Sequence, residues 1–307
     1  MEGIALNFDP DTMPNRLSRA KLSSPQSSPG SSSASAAVFQ RHWPLFIDEA
    51  AELAIFMISA CFFTVWLFDP AYPALHWIPN PAVRRLLMGV AMGVTAVLII
   101  HSPMGKRSGA HFNPSITLTY FRLRKIGRWD ALFYVLFQFI GGAVGVSISK
   151  AFLGRALAAP SVDYAVTIPG VYGTYAAFGA EFLMAALLMG VVLWFSNRPP
   201  VAKYTSYLVG ILITFYILLF APVSGFSINP ARTTGSAIFA NTWTALWLYF
   251  LAPIAGMMLA AEVHVRAYGI KSILCAKLHS DPSYPCPFYC HFPTHRHSDP
   301  SKRPYPA

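Results

Sequence analysis

The nine-residue stretch GAHFNPSIT at residues 109–117 recurs in outline as GFSINPART at residues 225–233. Proline is favoured at the first position of a helix, where its missing N–H costs nothing, and asparagine is favoured at the N-cap before it. Each copy therefore predicts a helix start that is capped by asparagine. The six central positions of the two copies are Asn113, Pro114, Ser115, Asn229, Pro230 and Ala231.

The surroundings of the two copies repeat as well, because Glu52 corresponds to Glu181 and Gly142 corresponds to Gly256. Each copy contains three of the six predicted membrane spans. Because three is an odd number, the second copy must enter the membrane upside down relative to the first. The predicted fold class is an all-α membrane protein with six transmembrane helices, two re-entrant half-helices and an inverted 3+3 repeat. The charge-free runs predict membrane spans at about residues 49–68, 84–102, 130–152, 175–196, 204–221 and 242–264.

The composition supports a membrane protein. Of the 307 residues, 54% are hydrophobic and 12% are charged, whereas roughly a quarter of the residues of a soluble domain are charged. This balance argues against a cytosolic globular enzyme, and no set of nucleophile, base and orienting residue emerges. Of the 23 Lys and Arg residues, 18 lie on one side of the predicted spans. Because basic residues collect on cytoplasmic loops, both termini are predicted to be cytoplasmic in a plasma or inner membrane, and no nucleic-acid partner is expected.

Each Asn-Pro segment is too short to cross a bilayer. The nine residues from Asn113 to Phe121 would span roughly 13 Å as a helix, so the loop must re-enter on its own side. Two half-helices that meet N-terminus to N-terminus would line a pore, because irregular backbone at membrane depth must line a cavity or be shielded by protein. Their positive ends would exclude cations, and the side-chain amides would orient a passing water. Arg232 has no charged neighbour in its loop and should point into this pore.

These loops and their surroundings resemble the aquaporin, or major intrinsic protein, family. The similarity covers about residues 44–265 and implies six tilted helices around one pore per subunit. It also implies a homotetramer in a lipid bilayer. The motifs that carry the resemblance are Ser108–Ser115 and Gly225–Arg232 in the loops, Glu52 and Glu181 in the first span of each half, Gln138–Gly142 in span three and Pro253–Gly256 in span six.

The resemblance further implies an outer constriction formed by four positions. Counting from the motifs assigns Arg232, Phe226 and Ile217 to three of them. The span-two position is Gly93 if no residue is inserted, or Met92 if one is. Water-selective members of the family have a Phe, a His and a small residue beside the Arg. An Ile and a Gly in this ring predict a wider and less polar filter that would admit solutes such as glycerol.

Other positions favour water. Thr233 and Ala237 occupy the positions where glycerol facilitators typically have an Asp and a basic residue. Tyr249-Phe250 resembles the aromatic pair of water channels. We therefore expect a passive channel for water and small uncharged solutes that excludes protons and ions. The alternatives are a neutral-solute facilitator with little water role and a coupled secondary transporter, since transporters share inverted repeats and broken helices.

Four polar residues are expected to support the loops. By the resemblance, Glu52 and Glu181 accept N–H bonds from the loops and hold loop carbonyls toward the pore, the alternative being a proton relay. His111 is interpreted as a structural or pore-lining imidazole, with a gate or a ligand as the alternative. Gln138, in the motif of span three, belongs to the same supporting group.

The two ends of the chain differ in composition from its middle. Residues 1–43 are expected to form a disordered cytoplasmic tail, and residues 44–265 a channel domain with halves at about 44–153 and 170–265. Residues 266–307 form a cytoplasmic tail that is unstructured unless it binds zinc or iron. Without that ion no cofactor is expected, and with it a metal-sensing or scaffold protein becomes an alternative function. The candidate ligands in the tail are Cys275, His279, Cys286, Cys290 and His291.

Overall fold

The computed structural model of the chain describes residues 31–293. This part is built from helices and contains no strand. Short 3-10 turns lie at Gly154–Ala156, Asp163–Ala165, Ala202–Tyr204 and Ile270–Ser272. The α-helices are α1 (Ser31–Phe68), α2 (Ala74–Trp77), α3 (Pro81–His101), α4 (Pro103–Ser108), α5 (Pro114–Arg122), α6 (Arg128–Leu153), α7 (Gly173–Ser196), α8 (Thr205–Ser224), α9 (Pro230–Ala240) and α10 (Leu248–Tyr268).

Six helices of the described chain, α1, α3, α6, α7, α8 and α10, are long and apolar enough to cross a membrane. The predicted number of spans is therefore confirmed. Because six is an even number, both ends of the described chain lie on one face, which we call the terminal face. The half-helices α5 and α9 have 9 and 11 residues. By the order of the spans, α5 enters from the terminal face and α9 enters from the opposite face.

The second half of the chain repeats the packing of the first. Helix α1 packs along α6 as α7 packs along α10, and α3 and α8 contact each other between the two halves. Each half-helix also packs on the last spanning helix of the other half, α9 on α6 and α5 on α10. This exchange joins the halves, and the inverted repeat predicted from the two motifs is confirmed.

The first span begins earlier than predicted. Helix α1 starts at Ser31 and passes through Pro44, so the assignment of residues 31–43 to a disordered tail is wrong. Alanines in this stretch favour a helix, and Phe39 packs edge-on against Phe133 of α6, with ring centroids 5.2 Å apart. Residues 1–30 lie outside the described part of the chain. The sixth span begins later than predicted, because α10 starts only at Leu248.

The repeated glycine of the third span allows a half-helix to come close. A Cβ atom at Gly142 would lie 2.7 Å from the carbonyl oxygen of Ala231, in the first turn of α9. Real Cβ atoms do not tolerate such a contact with backbone. Gly142 therefore sets the distance between α6 and the second half-helix.

Replacing Gly142 by alanine should lower the thermal unfolding midpoint, because overpacking a tight contact costs about 1–3 kcal/mol. Gly179 in α7 provides the matched control, since a Cβ atom there meets nothing within 4 Å. Gly179→Ala should leave the midpoint unchanged or raise it, because alanine favours a helix over glycine by about 0.5–1 kcal/mol. Thermal melting of both variants in detergent measures the difference. An unchanged midpoint for Gly142→Ala would contradict the close approach.

The segment that follows α10 folds back onto the terminal face. Its backbone joins the loop before α5, where Leu278 N donates to Gly109 O at 3.0 Å. An ion pair of 2.8 Å between Lys106 and Asp281 adds a second connection to the same region. The prediction of an unstructured tail is therefore wrong for residues 270–293. Tail residues 294–307 lie outside the described part of the chain.

Candidate functional site

The two re-entrant loops place their asparagines at helix starts, as predicted. Asn113 Oδ1 accepts a hydrogen bond from Ser115 N at 2.9 Å, and Asn229 Oδ1 accepts one from Ala231 N at 3.1 Å. A proline is the first residue of both α5 and α9. The predicted N-caps are confirmed, and the N-terminal ends of both half-helices lie at the interior of the molecule.

The side-chain amides of the two asparagines connect the loops to each other. Asn113 Nδ2 donates to Ile228 O at 2.8 Å, and Asn229 Nδ2 donates to Phe112 O at 2.8 Å. The amides that the sequence predicts to orient a passing water therefore also join the two loops. An amide NH2 carries two hydrogens, and each crossed bond uses one of them.

The backbone before each asparagine has the same unusual conformation. Ala110 and Phe112 in the first loop have φ values of 59° and 31°, and Phe226 and Ile228 in the second have 54° and 48°. A non-glycine residue in the left-handed region costs about 1–3 kcal/mol and persists only where surrounding contacts fix it. The matched positions show that both loops are held by equivalent supports.

In the second half, Glu181 supplies that support. Its carboxylate accepts hydrogen bonds from Ser227 N at 2.9 Å and Ile228 N at 2.5 Å. It also accepts one from the Ser224 hydroxyl at 2.7 Å, and the Tyr249 hydroxyl donates to Ser224 O at 2.7 Å. Glu181 thus fixes the loop backbone, as the sequence analysis expected.

In the first half, a different glutamate fixes the loop backbone. Glu49 accepts hydrogen bonds from His111 N at 2.9 Å and Phe112 N at 2.7 Å. The Gln138 amide donates to the same carboxylate at 2.6 Å, so Gln138 contacts the glutamate that holds this loop. Sequence reasoning missed Glu49, although a glutamate three positions before Glu52 lies on the same helix face.

Glu52 has a narrower role than expected. It accepts the hydrogen bond from the Ser108 hydroxyl at 2.7 Å, and its second carboxylate oxygen is buried without a hydrogen-bond partner. Ser108 O accepts from the Tyr134 hydroxyl at 2.8 Å. The contacts that Glu181 makes alone in the second half are therefore divided between Glu49 and Glu52 in the first half. The prediction that Glu52 holds the loop N–H groups is wrong.

His111 is a buried structural residue. Its Nε2 lies 2.8 Å from Ala276 O and its Nδ1 lies 3.1 Å from the Thr117 hydroxyl. Its ring stacks between Tyr120 and Phe288, with centroids 5.2 and 5.8 Å away. His111 therefore links the first loop to the segment after α10.

A cavity of about 310 Å³ opens toward the opposite face. Three of the predicted filter residues, Ile217, Phe226 and Arg232, line it. Arg232 is only 8% exposed, and its Nη1 has no hydrogen-bond partner within the described chain. Part of the Arg232 side chain therefore borders the cavity, while its Nη1 is buried without a hydrogen-bond partner in the described residues.

Of the two candidates for the span-two position of the predicted filter, Met92 lies beside the other three predicted residues. Met92 lines the same cavity, whereas a Cβ atom at Gly93 would lie 2.7 Å from the Thr214 hydroxyl of α8 and would also clash with Gly210 O. Gly93 therefore serves the close packing of α3 on α8, and its assignment to the filter is wrong. The alternative, Met92, fits the structure.

A second cavity of about 40 Å³ continues the path toward the terminal face. Asn113 and Asn229 line it, and Leu278 from the segment after α10 lines it as well. Phe56 and Phe226 line both cavities, so they mark the narrow point between them. Sequence reasoning missed Phe56, for which the repeat gives no signal, and Leu278, which lies outside the resemblance.

The predicted ligands of the tail come together only in part. The sulfur atoms of the three cysteines all lie within 4.8 Å of one another. His279 Nε2 instead contacts Lys106 O at 2.9 Å, and neither His279 nor His291 belongs to the group of three. The residues of the group are Cys275, Cys286 and Cys290.

Similar proteins are found among both channels and facilitators. Aquaporin NIP6-1 of Arabidopsis thaliana is 35% identical over 170 residues, which are 55% of this chain and 54% of that protein. The chain thus aligns with only about half of that relative's length. Glycerol uptake facilitator protein-like 6 of Lactiplantibacillus plantarum is 34% identical over 179 residues, 57% of this chain and 82% of that protein.

The fold is similar to that of a solved structure. The aquaglyceroporin from Plasmodium falciparum superposes with a TM-score of 0.61 at 19% sequence identity, covering 73% of this chain and 95% of that chain. The family model described as Major intrinsic protein matches residues 49–264, a range that includes both Asn-Pro loops, all three supporting glutamates and the four filter residues. The chain therefore belongs to the major intrinsic protein family.

Proposed function

We propose that the protein is a passive transmembrane channel that conducts water and small uncharged solutes and excludes protons and ions. The observation that carries this proposal is the pair of cavities that meet at Phe56 and Phe226 between the two faces. Asn113 and Asn229 line one cavity, and the positively charged Arg232 lines the other. Hydrogen-bond donors along an otherwise apolar path suit a neutral solute with oxygen acceptors.

Two features oppose the passage of cations. The N-terminal ends of α5 and α9 each carry a partial positive charge of roughly half an elementary charge, and both point to the crossed asparagines. Arg232, which is largely buried and lines the cavity on the opposite face, adds a full positive charge beside the path. A cation that loses its hydration shell in this path meets donors and positive charge in place of acceptors.

The lining of the path disfavours coupled transport. Coupling uses titratable or ion-ligating groups near the bilayer midplane. Among the residues that line the two cavities, the charged ones are Arg85 and Arg232, and no carboxylate lines either cavity. The buried carboxylates instead accept hydrogen bonds within the loops. A channel therefore accounts for the charges better than an ion-coupled transporter does, and we propose no catalytic activity.

The filter supports a solute range that extends to glycerol. Met92, Ile217 and Phe226 place apolar surface beside the donors of Arg232. A polyol has both carbon–hydrogen faces and hydroxyl acceptors, which this combination suits. One relative is named for glycerol uptake, which favours the same substrate class. A facilitator that passes mainly such solutes is the second candidate function.

Replacing Ile217 by histidine should lower the ratio of glycerol to water permeability. An imidazole at this position replaces apolar contact with a hydrogen-bonding group, which favours water over a polyol. Stopped-flow measurements of both permeabilities on the same proteoliposomes check the ratio. The volume-conserving Ile217→Leu, which costs little in a packed site, should keep it. An unchanged ratio in Ile217→His would remove Ile217 from the filter.

We further propose that the terminal face is cytoplasmic, in a plasma or inner membrane. The excess of Lys and Arg in the segments on that side supports this orientation. The proposed assembly is a homotetramer in the lipid bilayer, in line with the resemblance to the family. Exposed apolar side chains such as Leu98 and Leu219 on the spanning helices suit contact with lipid or with a neighbouring subunit.

Stopped-flow light scattering on proteoliposomes tests the function. Wild type and Leu278→Ala are compared with empty liposomes, because Leu278 occupies the terminal-face end of the path. The channel proposal expects faster water efflux in an impermeant osmolyte, glycerol entry, and an intact proton gradient. Rates equal to those of empty liposomes in both variants would overturn it. Glycerol entry without fast water efflux would favour the facilitator.

A further inference from the structure

The segment after α10 caps the proposed pore. Leu278 N donates to Gly109 O at 3.0 Å, and the imidazole of His111 contacts Ala276 O at 2.8 Å. The Gly109 carbonyl and the His111 imidazole both belong to the first re-entrant loop. The Leu278 side chain is 2% exposed and lines the cavity that contains the two motif asparagines. An apolar side chain from the tail therefore lies beside the two motif asparagines, at the terminal-face end of this cavity.

Three cysteines flank Leu278 in the sequence. Cys275 lies three positions before Leu278, and Cys286 and Cys290 follow it. The sulfur atoms of Cys275 and Cys286 are 3.4 Å apart, all three sulfurs lie within 4.8 Å of one another, and each cysteine is no more than 2% exposed. None of them forms a disulfide. Three sulfurs bound to one zinc ion at about 2.3 Å would lie roughly 3.8 Å from one another, a spacing that the cluster meets with small shifts.

The surroundings of the cluster carry positive charge. Lys277 is 1% exposed, and its ammonium donates to Lys106 O at 2.8 Å and Pro285 O at 3.0 Å. Lys125 is 7% exposed, and both lysines lie near enough to the three cysteines to attract thiolates formed there. Buried cations are costly unless paired. Three thiolates with a divalent ion carry one net negative charge, which these lysines would offset.

The thiolate, not the thiol, is the ligand of a metal ion, and a thiol keeps its proton until the ion displaces it. A metal ion that binds must displace such protons, and the free energy of binding then stabilises the folded segment that the ligands close.

We propose that Cys275, Cys286 and Cys290 bind a zinc ion or another thiophilic d10 cation, and that the bound ion holds Leu278 in the pore and closes the channel. The closure rests on the proposed function, whereas the binding site does not. Soft thiolates select zinc and copper(I) over hard cations. Iron–sulfur clusters use four cysteine ligands, so three thiols suit a single ion better than a cluster.

Metal binding is measured first, on the purified full chain in detergent. Elemental analysis after incubation with Zn²⁺ and gel filtration should give one ion per chain, and Cd²⁺ should produce the ultraviolet charge-transfer band of cadmium–thiolate bonds. Cys286→Ser should lose both signals. The matched control is Cys61→Ser, because Cys61 is a buried cysteine of α1 outside the cluster, and it should keep them. Absence of bound zinc in the wild type would overturn the site.

Water permeability of proteoliposomes is then measured with Zn²⁺ and with a chelator. Releasing a plug that is about 90% closed should raise the rate roughly tenfold. Leu278→Ala should conduct fast while it still binds the ion, and Cys286→Ser should conduct fast whether or not zinc is present. A wild type that binds zinc without any change of rate would overturn the closure.

The remaining outcomes separate the alternatives. A rate that responds to a thiol reductant and not to a chelator would replace the metal by a Cys275–Cys286 disulfide and overturn the ion site. If Leu278→Ala binds one zinc ion and conducts neither water nor glycerol, then the proposed function fails while the binding site stands. These two failures are therefore distinguishable in the same set of samples.

Discussion

Replacing Arg232 by alanine is expected to let small cations leak through the pore and to speed glycerol entry, while water flow persists. Arg232 lines the cavity on the opposite face, and its Nη1 has no hydrogen-bond partner in the described chain. A unit charge roughly 4 Å from a passing cation repels it by about 4 kcal/mol at an effective dielectric constant of 20. Losing that repulsion lowers the barrier for cations, and the shorter side chain widens the ring for polyols.

The leak is measured as the decay of a potassium or proton gradient across proteoliposomes, and glycerol entry by light scattering. Arg85→Ala is the matched control, because Arg85 lines the same cavity but is tied to Leu218 O at 3.3 Å, away from the asparagines. Arg85→Ala should exclude cations and admit glycerol to the same extent as wild type. Equal permeability of Arg232→Ala and wild type to cations and glycerol would contradict the placement of the guanidinium in the path.

The central loops are predictable because their signals are local. An asparagine before a proline specifies its own N-cap, and each Oδ1 accepts from the backbone two positions ahead. The crossed bonds from Asn113 to Ile228 and from Asn229 to Phe112 cannot be predicted from such local signals. They depend on how deeply each loop enters the other half, which no spacing within one motif specifies.

A shift of one residue along α3 changes which side chain is assigned to the filter. Consecutive residues of a helix point about 100° apart, so Met92 and Gly93 face different neighbours. Counting from the motifs left both open, since the length of the connecting loops is not constrained by sequence pattern. The close approach of α3 and α8 at Gly93 favours Met92 over Gly93. This approach depends on the packing of two helices that are far apart in the chain.

The ends of the chain were harder to predict than its middle. A composition of Ser, Pro and Ala is typical of disorder, yet α1 continues back to Ser31 and packs Phe39 against α6. The segment after α10 is rich in Pro and polar residues, yet it buries Lys277 and Leu278 against the first loop. In both cases tertiary contacts outweigh local composition, and these contacts lie outside the repeated part of the sequence.

The division of the loop support between two glutamates is the largest difference between expectation and structure. The repeat paired Glu52 with Glu181, because each lies in the first predicted span of its half. In the structure, Glu49 accepts the two loop N–H groups that correspond to those held by Glu181. Glu52 retains the contact with Ser108. The two carboxylates therefore differ in the number of buried donors that depend on them.

Glu49→Ala is expected to abolish water conduction and to lower the yield of folded protein. The substitution leaves the backbone N–H groups of His111 and Phe112 buried without acceptors, at about 1–3 kcal/mol each, and it releases the Gln138 amide. These groups fix the left-handed turn at Phe112, whose carbonyl accepts the crossed bond from Asn229. Loss of that turn displaces both asparagines. Glu181→Ala should have the same effect on the second loop.

Glu52→Ala is the control on the same helix, and it decides the assignment. It removes one hydrogen bond, to the Ser108 hydroxyl, and it also removes a buried carboxylate oxygen that has no partner. Removing an unsatisfied buried polar atom offsets part of the lost bond. Water permeability per folded channel should therefore stay close to wild type. If Glu52→Ala abolishes conduction and Glu49→Ala does not, then Glu52 holds the loop after all, and the hydrogen bonds from His111 and Phe112 to Glu49 do not govern the pore.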